Sequence, residues 1–169
     1  MKTLLLSLAM AAALPAHAAN SAAAPAVASA ASAVAADACA TTIEGRPGKK
    51  FSLQHIDVPA SCERFTVHLI HTGKKPKEQA GHNWVLVPAA QLDGVIRDGL
   101  QAGPGNDYLP PHDSRIIAAT PMLGGRERAS VSFPVARLRE GTAYTFFCSF
   151  PSHAMHMRGT LALRTQAKP

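Results

Sequence analysis

The chain is poor in cysteine, with only Cys39, Cys62 and Cys148. An odd number leaves at least one without a partner inside a single chain, and that one needs a reason. Long apolar runs are scarce as well. The run from Leu4 to Leu14 falls short of the about 20 residues a membrane-spanning helix needs, and no later stretch reaches that length. No cysteine stands beside the run to carry a lipid anchor. Stable membrane insertion is not expected. Massed charge is missing too. The formal net charge is +6, yet the clusters are small: Lys74-Lys75-Lys77, Arg126-Arg128 and Arg137-Arg139. No basic tract is long or aromatic-interleaved enough to suggest nucleic acid. These charges read as a solvated basic surface. There is no internal repeat.

What is present begins with an export signal. Met1 and Lys2 precede the apolar run, and Ala16-His17-Ala18 puts small residues where a signal peptidase reads. Residues 1–18 are expected to be a signal peptide cut after Ala18, with a later site available at Ala36-Asp37-Ala38. Residues 19–38 hold twelve alanines in twenty positions, interrupted by Pro25 and several serines. They show no large apolar face, so a flexible leader is expected, reaching on the order of 25 Å as a coil. Residues 39–169 make one domain. Outside the cytoplasm cysteines tend to pair.

From Cys39 onward short runs alternate apolar and polar residues: "FSLQHI" (51–56), "RFTVHLIH" (64–71), "HNWVLV" (82–87), "RIIAA" (115–119), "ASVSFPV" (129–135), "TAYTFFC" (142–148) and "GTLALR" (159–164). Turn residues separate them at 45–48, 73, 103–105 and 124–125. Many short period-two strands predict a β-sandwich or barrel. Between Ala89 and Ala102, Leu92, Val95, Ile96 and Leu100 recur at helical spacing, which predicts one short helix.

The stretch "CSFPSHAMHM" (148–157) holds one thiol, two imidazoles and two thioethers. A thiolate, imidazoles and a thioether together select copper, and a Cys-His₂ plane with a weak axial Met is the blue-copper arrangement. The loop offers Cys148, His153 and Met157. A second histidine must come from elsewhere, with His55, His68, His71, His82, His112 and His156 as candidates. On 64–71 alternation turns His71 toward the core and His68 outward; the same counting turns His55 inward. His82 follows Gly81 at the start of an apolar strand, where a ligand can be presented beside a loop, and is the expected second imidazole.

Residues 39–165 resemble the azurins, the bacterial blue-copper branch of the cupredoxins. The likeness is carried by "GHNWVL", "DYLPPHDSRIIA", "YTFFCSFPSH" and "MRGTLAL", in order and spacing, and by the Cys-x₄-His-x₃-Met loop. It implies an eight-stranded Greek-key β-sandwich with one short helical insertion. It implies one copper ion, Cu(I)/Cu(II), on His82, Cys148 and His153, with Met157 and the Gly81 carbonyl as weak axial donors. It pairs Cys39 with Cys62, which leaves Cys148 for the metal. Asn83 and Phe150 match positions whose backbone amides meet the cysteine sulfur, and His71 matches a histidine whose titration couples to redox state. The implied role is single-electron transfer in the periplasm. A c-type cytochrome or periplasmic oxidoreductase would dock transiently at an apolar face around the His153 ring, itself reaching the surface.

Three positions depart from the family. Ser152 stands where a glycine is usual, and Ala80 and Leu100 stand where methionines are frequent. Met155 and His156 read as rim groups, with Met155 the alternative axial thioether. A periplasmic copper carrier or storage protein is the competing function. An enzyme fits less well, because four side chains close the site and Cys148 ends a run of aromatics.

Overall fold

In the computed structural model the described residues are 38–165. The expected signal peptide (1–18), the leader up to residue 37 and the last four residues lie outside them. Nine strands form two sheets. They are β1 (Ala40–Arg46), β2 (Lys50–Phe51), β3 (His55–Pro59), β4 (Arg64–His71), β5 (Val85–Pro88), β6 (Ala118–Ala119), β7 (Arg128–Pro134), β8 (Tyr144–Phe147) and β9 (Arg158–Arg164). The first sheet runs β2-β1-β4-β7 and the second β3-β9-β8-β5-β6. The chain repeatedly crosses from one sheet to the other, the Greek-key habit of a β-sandwich. The strand count exceeds the expected eight by one, and both β2 and β6 are only two residues long.

The alternating run 64–71 is β4 to the residue, burying Phe65, Val67, Leu69 and His71 and turning His68 out. Elsewhere the pattern is less continuous. "FSLQHI" is broken between β2 and β3, and the break resets the alternation. His55 is therefore exposed, not inward, and its ring meets Thr160 and Asp57. "RIIAA" contributes only Ala118 and Ala119 to a ladder. The segment 40–46, which carries little apolar signal, is a central strand, paired with β2 on one edge and β4 on the other.

The interior is built on few aromatics. Trp84 stacks between Phe133 and Phe146, at centroid distances of 6.4 and 5.9 Å. Phe65 lies 6.1 Å from Phe133 across β4 and β7, and Phe51 lies 5.5 Å from Phe146. The Trp84 indole N–H is the one buried side-chain polar atom without a partner among the described residues. Leaving it so costs about 1–3 kcal/mol, offset by the burial of the ring. Cys39 and Cys62 are joined, closing 23 residues of sequence separation and stabilising the fold by about 3 kcal/mol.

Helix α1 (Lys77–Ala80) is a single turn. Helix α2 (Leu92–Ala102) is the expected insertion. It buries Leu92, Val95 and Gly99, and packs with Val85, Val87, Phe147 and Ala154 in a second apolar cluster outside the β5–β8 sheet. Leu100, in the last turn of α2, is 50% exposed. Through Ala154 this cluster holds the loop that follows β8.

Candidate metal centre

Strand β8 is apolar enough to run through the core, and it delivers Cys148 at its end. The Cys148 amide donates to the Met157 carbonyl at 3.0 Å, so the 148–157 loop leaves and returns through one extra rung of the β8–β9 ladder. Inside the loop the amides of His156 and Met157 both donate to the His153 carbonyl, at 2.9 and 2.7 Å, and that of His153 donates to Phe150. His82 comes from the other side. It stands beyond the start of β5, held by a two-way bridge to Leu123.

These elements bring Nδ1 of His153 to 3.5 Å and Nδ1 of His82 to 3.9 Å from Cys148 Sγ. The Gly81 carbonyl oxygen lies 3.8 Å from the same sulfur. The donor atoms of His82, Cys148 and His153 all lie within 4.8 Å of one another, a separation one metal ion can span. Cys148 and Met157 are fully buried in the same core cluster. Met155, by contrast, is 68% exposed, and His156 is exposed beside it. A side chain at Gly81 would place its Cβ 2.6 Å from the Lys77 carbonyl, so only glycine lets that backbone approach the site.

Hydrogen bonds set the histidine tautomers. The His82 Nε2–H donates to the Arg46 carbonyl at 3.2 Å, which leaves the Nδ1 lone pair facing the sulfur. His71 stacks on His82 with centroids 4.3 Å apart. Its Nε2–H donates to the Ala80 carbonyl at 2.8 Å, and its Nδ1 accepts from the Gly73 amide at 3.0 Å. The ring of Phe150 lies 4.6 Å from that of His153. A polar bracket steadies the loop: Asn83 Oδ1 accepts from the Ser149 amide and Asn83 Nδ2 donates to Ser149 Oγ, both at 2.8 Å. Ser149 Oγ in turn donates to the Asp107 carbonyl. The roles of Ser149, Asp107 and the Arg46 carbonyl have no sequence signature.

The electrostatics suit a cation. Burial pushes the Cys148 thiol up to about 12, against the opposing pull of the Asn83 and Phe150 backbone amides. Burial, then the neighbouring His71 and His153, lower His82 to about 4. Burial, then Lys49 and His71, lower His153 to about 4. At neutral pH both imidazoles are bare bases, and a metal ion that displaces the thiol proton supplies the charge the buried sulfur lacks. The same shifts predict acid sensitivity of the metal-free protein. Free imidazole titrates near 6.5, so on acidification the unfolded chain takes up protons before the folded one. Stability is expected to be full above about pH 6.5 and to fall between about 6.5 and 4. Urea midpoints across that window check it, and a flat profile excludes it.

Above the site lies a cavity of about 550 Å³, whose lining includes His71, His82 and His153. The His153 ring does not stand free at the surface; the residue is 4% exposed and belongs to the cavity wall. Ala80 lines the cavity as well. Ser152 has φ +63°, the left-handed region that favours glycine, and a non-glycine residue there costs about 1 kcal/mol. Its Oγ accepts from Lys49 Nζ at 2.9 Å. Beyond Ser152 a second cavity of about 210 Å³ is lined by Leu100, Phe150, Pro151 and Met155. His55, His68 and His112 stand apart from the centre, all exposed.

The family of copper binding proteins described as plastocyanin/azurin matches residues 37–164. An azurin of Pseudomonas aeruginosa is 48% identical over 126 residues, covering 75% of this chain and 85% of its own. An azurin of Bordetella pertussis is 49% identical over 125 residues, covering 74% and 83%. A solved azurin (Az-iso2) of Methylomonas sp. strain J superposes with a TM-score of 0.73 at 46% identity, covering 75% of this chain and 98% of that one.

Proposed function

The chain belongs to the plastocyanin/azurin family and is a blue-copper electron carrier with one copper ion as cofactor, and from that premise we propose where the ion sits and where the protein works. Nδ1 of His82, Sγ of Cys148 and Nδ1 of His153 would hold the copper, with Met157 and the Gly81 carbonyl as weaker donors. The observation that carries this assignment is the convergence of three buried donor atoms within 4.8 Å, with both imidazole lone pairs turned toward the thiol.

Copper bound there supplies a one-electron Cu(I)/Cu(II) couple. The protein's part is to keep the donors still. The Arg46 carbonyl fixes His82, the Asn83–Ser149 bracket fixes the loop, and the Asn83 and Phe150 amides face the sulfur. Burial keeps water from Cys148 and Met157. His153, on the cavity wall, is the port through which the electron leaves or enters. His71 holds the second face of His82, and both its ring nitrogens are occupied. A redox-linked proton at His71 Nδ1 would require the Gly73 amide to turn away.

A carrier that hands over its copper needs donors open to ligand exchange, whereas Cys148 and Met157 are fully buried. Four side chains leave no open position for a substrate, so the centre reads as a carrier and not as an enzyme. Export and a periplasmic location rest on the run Leu4–Leu14 with Ala16-His17-Ala18, and on the Cys39–Cys62 bridge, which forms in oxidising compartments. Among the described residues no helix is long and apolar enough to cross a membrane. The partners are a c-type cytochrome or another periplasmic oxidoreductase, meeting the His153 face briefly.

Adding one equivalent of Cu(II) to the purified protein is expected to produce an intense visible band that ascorbate bleaches and reoxidation restores. A protein that binds copper without that band overturns the assignment.

A further inference from the structure

Three lysines stand around the cavity that reaches His153. Lys49 comes from the β1–β2 turn, and Lys74 and Lys75 from the segment between β4 and α1. Among the described residues none of the three makes an ion pair; the six ion pairs there involve arginines and His55. The nearby carboxylate of Glu127 is taken up by the Gly124 amide, and Glu78 faces Lys77 as well as this pair across a shared hollow. Residues 1–37 contain a single acid, Asp37, so the leader cannot supply the missing charge. Lys49 reaches the port directly through its bond to Ser152, the residue before His153.

The other flank is apolar. Leu100 and Met155, the exposed large hydrophobic residues among those described, share the small cavity on the far side of Ser152. The expected apolar face around the port is therefore only half the surface. A small anion would need the lysines but not Leu100 or Met155. A protein would use both: the apolar half for close dry contact, the cationic half for selection and steering.

We propose that Lys49, Lys74 and Lys75 form a cationic half-collar beside the His153 port, and that this face docks a redox protein whose electron-exchange edge is rimmed by carboxylates. The inference rests on the electron-carrier reading above. One electron passes per encounter, oxidising one protein and reducing the other, with no atom or proton transferred.

The test is stopped-flow oxidation of the reduced, copper-loaded protein by two probes, an acidic and a basic ferric c-type cytochrome. The acidic probe is expected to react faster at low salt and to slow as salt screens the field. The variant Lys49→Gln/Lys74→Gln/Lys75→Gln is expected to slow the acidic probe about tenfold at low salt, with little effect at high salt. It is not expected to slow the basic probe. A control removes the same charge at the far end of the sandwich, Arg64→Gln/Arg139→Gln/Arg164→Gln, and is expected to change the rate less than about twofold. Equal slowing by both triples, or none by the lysine triple, overturns the docking proposal while the visible band stays intact. A wild-type protein with neither band nor reaction overturns the electron-carrier reading itself.

Discussion

Cys148→Ser is expected to abolish the visible band of the copper-loaded protein outright. The band requires a polarizable thiolate bound to Cu(II), and Cys148 is the one free cysteine among the described residues. The thiol lies 3.5 and 3.9 Å from the two imidazole nitrogens, and the other sulfurs nearby, Met122, Met155 and Met157, are thioethers that cannot become thiolates. A serine hydroxyl in the same pocket would have to lose a proton that burial already makes hard to remove from a thiol held near 12. Copper affinity should fall by more than about 100-fold, beyond the cost of losing a supporting contact. The fold should survive, since Ser and Cys differ little in size and the Asn83 and Phe150 amides can still be met by an oxygen. Circular dichroism of the metal-free variant separates loss of the ligand from loss of structure. A folded variant that keeps the band would show that the sulfur is not a copper ligand.

That prediction could be written from the sequence because its elements are local. Cys148, His153 and Met157 sit on one short loop, and their spacing alone marks the chemistry. The period-two pattern of β4 is equally local, and it placed His71 and His68 on the faces they occupy. His82 was reachable because Gly81 and an apolar strand announce a ligand at a strand end. Reading failed where the chain changes frame. Residues 52–54 leave the ladder between β2 and β3, so counting carried across them turned His55 the wrong way. β1 was invisible for a different reason. A central strand paired on both edges is held by its backbone, and "ATTIEGR" shows little of that in its side chains. The same holds within the site. The Arg46 and Ala80 carbonyls and the Gly73 amide orient His82 and His71, and backbone groups leave no residue-type pattern, although a side chain at Gly73 would place its Cβ 2.6 Å from the His71 ring. The lysines were visible as a cluster, but only the fold shows that Lys49, from a distant turn, joins Lys74 and Lys75 at one opening.

Asn83→Ala should be the costliest change to the frame of the site among residues that touch no metal. Its carboxamide is fully buried and makes two bonds to Ser149, one accepting from the amide and one donating to the hydroxyl. Ser149 carries the link on to the Asp107 carbonyl, so three distant segments meet at one side chain. Alanine leaves the Ser149 N–H buried and unpaired, at about 1–3 kcal/mol, and loses a second bond worth about 1 kcal/mol. A total near 3 kcal/mol lowers the melting temperature by about 10 °C. The loss falls on the residue after Cys148, so the copper band should also weaken or shift. Ser149→Ala keeps the backbone bond to Asn83 Oδ1 and should cost about half as much. Because both changes break the same bracket, the double variant should cost at least about 0.5 kcal/mol less than the sum of the two. Strict additivity in thermal denaturation would mean that the bracket does not act as a unit, and that the loop is held by its turn hydrogen bonds and by Ala154 alone.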